Sequence, residues 1–106
     1  MTASAQWVKS SNQLELVGHV DFNNAVSLLR EGEAWIDQFA GKDCLVSFAG
    51  VTHSKSASIA LIVGLRRHAG KAQKNITIAH VPDNLLSTIR LGGLDWLVDP
   101  ATPVEQ

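Results

Sequence analysis

The fold of this chain is constrained most by two stretches that each pass from a strand pattern through a polar turn into a helix pattern. The first alternates over residues 14–20 and reaches Asp21 before a helical pattern begins. The second is the nearly continuous apolar run of residues 44–48, followed by a polar turn and another helical pattern. Strands that alternate with helices favour right-handed crossovers and an inner parallel sheet.

Further patterns extend this core. Residues 6–9 predict a strand that forms a hairpin with residues 14–20, and residues 75–79 predict another strand. Helices are predicted over residues 22–39, over about residues 56–69, and from Pro82 to the Gly92-Gly93 pair. The predicted fold class is therefore α/β, with a mixed, mostly parallel sheet in the order ββαβαβα and an antiparallel edge.

The first predicted helix is amphipathic. Asp21, Asn23 and Asn24 can each cap its start. Its apolar residues recur at steps of three and four, which predicts that they face the sheet. They are Phe22, Ala25, Val26, Leu29, Gly32, Trp35, Ile36 and Phe39. The run of residues 44–48 is typical of an inner strand that is covered on both faces.

Composition excludes several classes of protein. With 106 residues, 45% of them hydrophobic, the chain predicts one domain with a core over about residues 6–98 and a loose C-terminal tail. A net charge of −1 does not indicate the positive surface that nucleic-acid binding needs. No export signal or membrane-spanning run is visible, so no membrane insertion is expected. The lone Cys44 excludes an internal disulfide. We therefore expect a cytoplasmic protein.

Catalytic chemistry finds few candidates. No two of the four histidines have a metal-ligand spacing within one element. They are His19, His53, His68 and His80. Cys44 opens an apolar strand and is interpreted as a small core residue. We expect no metal, no cofactor and no enzymatic activity.

The polar turn before the second helix offers a different kind of site. Ser54, Lys55, Ser56, Ala57 and Ser58 follow one another there. In one interpretation Ser54 caps the helix and the other residues are simply tolerated in its first turn. In the other, Ser56 lies where free N–H groups would stabilise added negative charge or a bound partner. The spacing does not choose between these alternatives.

These motifs resemble the STAS domain family. The run Leu14-x-Leu16-x-Gly18-x-Val20-Asp21 resembles the family's entry motif, and Ser56 matches its acceptor hydroxyl. Within the family, the chain is most similar to the small MlaB-type subunit of the Mla phospholipid ABC transporter. Trp7, the segment Ser56-x-x-Ile59-Ala60-Leu61 and residues 75–78 support this likeness.

The resemblance implies a non-catalytic subunit that binds and supports the transporter's ATPase, which could hold it at the inner membrane of a Gram-negative bacterium. It places Ser54, Lys55, Ser56, Ala57 and Ser58 in the partner contact. The alternative is an anti-sigma-factor antagonist that binds a kinase-type anti-sigma factor and is switched by phosphorylation of Ser56. Lys55 replaces the Asp that precedes the family's acceptor, and Ser58 replaces a Gly, which argues against phospho-regulation more than against binding.

Overall fold

The computed structural model describes residues 4–10, 13–52, 55–94 and 97–98. Seven elements follow one another in the predicted order, and the predicted fold class is confirmed. They are β1 (Gln6–Lys9), β2 (Gln13–His19), α1 (Ala25–Gln38), β3 (Asp43–Thr52), α2 (Lys55–Lys71), β4 (Asn75–Ala79) and α3 (Asp83–Leu91).

The four strands form one sheet in the order β1-β2-β3-β4. β1 pairs antiparallel with β2 and forms an edge, whereas β2, β3 and β4 are parallel. The core lies between one face of this sheet and the helices, and it includes Leu14, Val46 and Phe48, which are fully or almost fully buried. Because parallel strands end at the same edge, α1 and α2 begin side by side.

β3 extends to Thr52, well beyond the apolar run that was predicted as a strand. It contains a β-bulge, after which its pairing with β2 continues. Glu15 is paired with Ser47, but Val17 is paired with Gly50, so β3 contains one extra residue between these pairs. A Cβ at Gly50 would lie 3.1 Å from Cγ2 of Val17 and 3.2 Å from its Cα, which explains a residue without a side chain there. The extension pairs Thr52 with His19 at the edge where the helices begin.

Most of the predicted apolar face of α1 packs against the core, because Leu29, Trp35 and Phe39 lie partly buried beside its buried residues. Its buried residues are Ala25, Leu28, Gly32 and Ile36. Leu28 was missing from the predicted face, whereas Phe22 and Val26, which were predicted to be in it, are exposed. The reason is a tertiary contact: the indole N–H of Trp7 in β1 donates a 2.8 Å hydrogen bond to the Leu28 carbonyl oxygen. This turns Leu28 and Gly32 towards the sheet.

Helices α1 and α2 pack closely through two reciprocal contacts between a leucine and a glycine. A Cβ at Gly32 would lie 2.6 Å from Cδ2 of Leu65, and a Cβ at Gly64 would lie 2.7 Å from Cδ2 of Leu29. Each leucine therefore occupies the space above the glycine of the other helix. A larger side chain at either glycine would force the helices apart or displace the leucine.

In the described part of the chain, no helix covers the second face of the sheet, so the prediction that β3 is covered on both faces is wrong there. On this face, Val8 and Val17 are exposed hydrophobic residues. Thr77 is also exposed, and Leu45 in β3 is only partly buried. Nearly continuous apolar runs do not distinguish a strand between two layers from one whose second face carries a few small apolar residues.

After α3 the chain returns to the core. Leu97 and Val98 are buried, and the Arg66 side chain of α2 donates from Nε to the Leu97 carbonyl oxygen. The predicted C-terminal tail lies outside the described residues. Among the described helices, none is long and apolar enough to cross a membrane.

Candidate functional site

The predicted site lies at the edge of the sheet where β2 and β3 end. His19 and Thr52, the last residues of these strands, are paired, and α2 begins at Lys55. Ser56 lies in the first turn of α2 and is exposed to solvent. The backbone N–H groups of a first helical turn have no partner within the helix, and the helix dipole is positive there. The turn contains Lys55 and no acidic residue.

The other predicted site residues differ in their surroundings. Ala57 and Ser58 are both completely buried, at 0% exposure. In this structure neither residue offers accessible surface to a partner, so Ser56 is the exposed residue of this group whose side chain is described. Ser54, one of the predicted caps, and the side chain of Lys55 lie outside the described part of the chain.

Ser58 has an unusual environment for a hydroxyl group. Its Oγ is buried and has no hydrogen-bond partner among the described residues. A buried hydroxyl group without a partner has lost its hydrogen bonds to water, which costs about 1–3 kcal/mol. Among the described residues, nothing offsets this cost in the first turn of α2.

The start of α1 lies beside this turn and is held by a reciprocal pair of side chains. The Asp21 carboxylate accepts hydrogen bonds from the backbone N–H groups of Asn23 at 2.9 Å and Asn24 at 3.1 Å. In return, the Asn24 amide oxygen accepts a 2.9 Å bond from the Asp21 N–H. Of the three capping candidates, Asp21 makes these bonds, and the arrangement resembles a capping box.

Asn24 also connects this corner to the sheet. Its Nδ2 donates to the carbonyl oxygen of His19 at 2.8 Å and to Oγ of Ser4 at 2.9 Å. The His19 Nε2 atom lies 3.3 Å from Oδ2 of Asp21. The family motif residue Asp21 therefore has a structural role here, because it fixes the loop between β2 and α1.

Sequence reasoning missed two residues at this edge. Phe22, in the turn that leads into α1, is 67% exposed, and Val26, in the first turn of the helix, is 59% exposed. Both had been assigned to the core. The predicted stripe of eight apolar residues is wider than the face with which a helix contacts a sheet. Its width was therefore a sign in the sequence that some of these residues do not contact the sheet.

The cysteine of the chain lies away from this edge and is buried. Cys44 is buried at the start of β3, and burial raises the pKa of its thiol; Asp43 adds to the rise and Lys74 opposes it. A thiol with a raised pKa is a poor nucleophile. Among the described residues, no three His, Cys, Asp or Glu side chains are grouped as a metal site.

Comparison with known families now identifies the chain. A family model described as MlaB, STAS domain, matches residues 3–99. The chain belongs to this family. STAS domains in general are non-catalytic domains that bind other proteins. No curated protein shows significant sequence similarity to the chain.

Solved structures support the fold. The chain is similar to the anti-sigma factor antagonist SpoIIAA in its unphosphorylated form, with a TM-score of 0.68 and 13% identity over 89% of this chain and 84% of that one. It is also similar to the Bacillus cell fate determinant SpoIIAA in the phosphorylated form, with a TM-score of 0.64 and 13% identity over 89% of this chain and 87% of that one. At this identity the likeness shows a shared fold.

Proposed function

We propose that this STAS protein is a non-catalytic cytoplasmic subunit that binds and supports the ATPase of a phospholipid-transport ABC system of the Mla type. The observation that carries the proposal is the match of nearly the whole domain to the MlaB-type STAS family. The chemistry of the site agrees with a binding role, since its exposed hydroxyl group lies on a rigid helix and has no nucleophile–base pair beside it among the described residues.

The contact is proposed at the first turn of α2, at Ser54, Lys55, Ser56, Ala57 and Ser58. Helix α2 is a suitable platform because Leu61, Ile62 and Leu65 anchor it in the core. A surface that is already ordered loses little conformational entropy on binding. Ser56 is exposed on this platform, next to the buried residues Ala57 and Ser58, so its hydroxyl group is available to a partner.

The test is a charge introduced at Ser56. Ser56→Glu would bury an unpaired carboxylate against the partner, and we expect at least about a tenfold loss of affinity for the co-expressed ATPase subunit. Ser87→Glu, at an exposed serine of α3, is the matched control and should bind like the wild type. Circular dichroism should show the same fold for both variants. Unchanged binding of Ser56→Glu would place the interface elsewhere.

The second candidate function is an anti-sigma-factor antagonist switched by phosphorylation of Ser56, and the structural likeness to SpoIIAA favours it. A kinase that reads the acidic residue before the acceptor would meet Lys55 here. We therefore expect intact-mass measurement of protein from its native cell to show no phosphate on Ser56. We also expect Lys55→Asp to change ATPase association without creating a phosphorylated form. A phosphorylated fraction that changes with growth conditions would favour the antagonist.

A further inference from the structure

The starts of α1 and α2 lie at the same edge of the sheet. His19 and Thr52, the last residues of β2 and β3, are paired there. Phe22 follows His19 by three residues, in the turn before α1, and Ser56 follows Thr52 by four residues, in the first turn of α2. Because so few residues separate each of them from the paired strand ends, Phe22 and Ser56 lie at the same edge.

This edge therefore combines two kinds of exposed group. Phe22, in the turn before α1, and Val26, in the first turn of α1, present apolar side chains, and Ser56 presents a hydroxyl group from α2. Exposed aromatic and aliphatic side chains beside one another are typical of the anchors of protein interfaces. The reciprocal bonds of Asp21 and Asn24 hold the backbone around Phe22, so this side chain projects from an ordered turn.

The charges at this edge restrict what can bind there. Neither α1 nor α2 has an acidic residue in its first turn, and α2 has Lys55. The Asp21 carboxylate is occupied by backbone N–H groups of its own loop. A second copy of this chain would bring two positive helix ends together, which is unfavourable. The edge is complementary instead to an apolar surface bordered by acidic side chains.

We propose that Phe22 and Val26 form the apolar anchor of the ATPase-binding surface that contains Ser56, and that the ATPase presents to them an apolar pocket bordered by an acidic residue. This rests on the proposed function. The surface formed by Phe22, Val26 and Ser56 is called the two-helix surface, and Lys55 precedes Ser56 in the chain. The apolar side chains supply affinity, and the positive charge at the start of α2 supplies orientation and specificity.

The experiment measures binding of the full chain to the purified ATPase subunit of the same organism's phospholipid-transport system, by isothermal titration calorimetry. The double variant Phe22→Ala/Val26→Ala should raise Kd by about 30-fold, since a buried aromatic anchor is commonly worth that much. Leu91→Ala is the matched control: Leu91, at the end of α3, is 90% exposed, and its loss should leave Kd unchanged. All three proteins should have the same thermal midpoint, because the replaced side chains are exposed.

A second pair of variants tests the acidic border. Lys55→Glu should raise Kd by about tenfold through like-charge repulsion. Lys71→Glu, at an exposed residue at the other end of α2, should not change it. Equal effects of the two lysine variants would indicate general electrostatic attraction and would overturn the acidic border.

The remaining outcomes separate this proposal from the proposed function. If Ser56→Glu lowers the affinity and Phe22→Ala/Val26→Ala does not, the apolar anchor is overturned and the proposed function stands. A wild-type chain that does not bind the ATPase would overturn both. A wild-type dimer that the double variant converts into a monomer would assign the apolar patch to a second copy of the chain and overturn the proposal.

Discussion

The two ends of this molecule are built differently. At one end, where the helices begin, Asn24 bonds the loop before α1 to the sheet, but Phe22 and Val26 are exposed and the buried Ser58 hydroxyl group has no partner among the described residues. At the other end, where the helices finish, polar groups from different elements are bonded to one another. There Nε2 of His68 lies 2.8 Å from Oδ1 of Asp37.

Lys74 is the centre of this bonded end. Its ammonium group donates to the carbonyl oxygen of Ile36, in the last turn of α1. It also donates at 2.8 Å to the carbonyl oxygen of Phe39, which follows the helix. Next to it, the Asn75 side chain donates a 2.9 Å bond to Oδ1 of Asp43. Under the proposed function, stability and binding are therefore separated along the molecule. The bonded end joins the elements to one another, and the two-helix surface exposes the groups that the proposed partner covers.

The strongest test of this comparison removes the lysine. Lys74→Met keeps the apolar stem but loses the bonds to the end of α1, and hydrogen bonds from charged groups are worth about 1.5–3 kcal/mol. We expect the free energy of unfolding in urea to fall by about 2 kcal/mol. Binding to the ATPase should not change.

The control for this prediction is Lys42→Met, at an exposed lysine in the turn before β3. It should change stability by less than about 0.5 kcal/mol. If Lys74→Met is no more destabilising than Lys42→Met, the bonded end does not supply the stability assigned to it here.

A smaller effect of opposite sign is expected at the binding end. Ser58→Ala removes a buried hydroxyl group that has no partner, so the free energy of unfolding should rise by about 1 kcal/mol. Ser87→Ala, at an exposed serine of α3, measures the gain that comes from helix propensity alone. A loss of stability in Ser58→Ala would show that the hydroxyl group is satisfied and that this end is no less optimised than the other.

The smallest effect concerns the pair of His68 and Asp37. Because the Asp37 side chain is 58% exposed, the coupling energy should be only about 0.3–1 kcal/mol. A double-mutant cycle with His68→Ala and Asp37→Ala, read by urea denaturation, isolates this energy from the other effects of each substitution. A coupling energy of zero would show that this pair does not stabilise the bonded end.

Local patterns in the sequence predicted the order and type of every strand and helix. They sufficed because alternation with a period of two and apolar spacing of three to four are local properties of strands and helices. The length of β3 was missed, since the bulge opposite Leu16 depends on pairing with another strand. The choice of Asp21 among three capping candidates also had to come from the structure, because each was chemically suitable.

The candidate site was predicted less completely than the fold. The sequence placed a hydroxyl-rich first turn after β3, and the structure has Ser56 exposed there. It did not predict that Ala57 and Ser58 are buried, nor that Phe22 and Val26 are exposed. The missing information was the rotation of each helix about its own axis, which apolar spacing defines only to within a broad stripe.

The sequence by itself therefore determined the α/β class, the succession of elements and the position of a polar turn before α2. The tertiary structure decided which side of each helix faces outwards. It did so through the bond from Trp7 to Leu28 and the reciprocal packing of Leu65 on Gly32 and Leu29 on Gly64. Such contacts join residues that are far apart in the chain. Close packing then allows each helix one rotation about its axis, the one in which a leucine of the other helix covers its glycine. That rotation leaves Phe22 and Val26 exposed beside the first turn of α2.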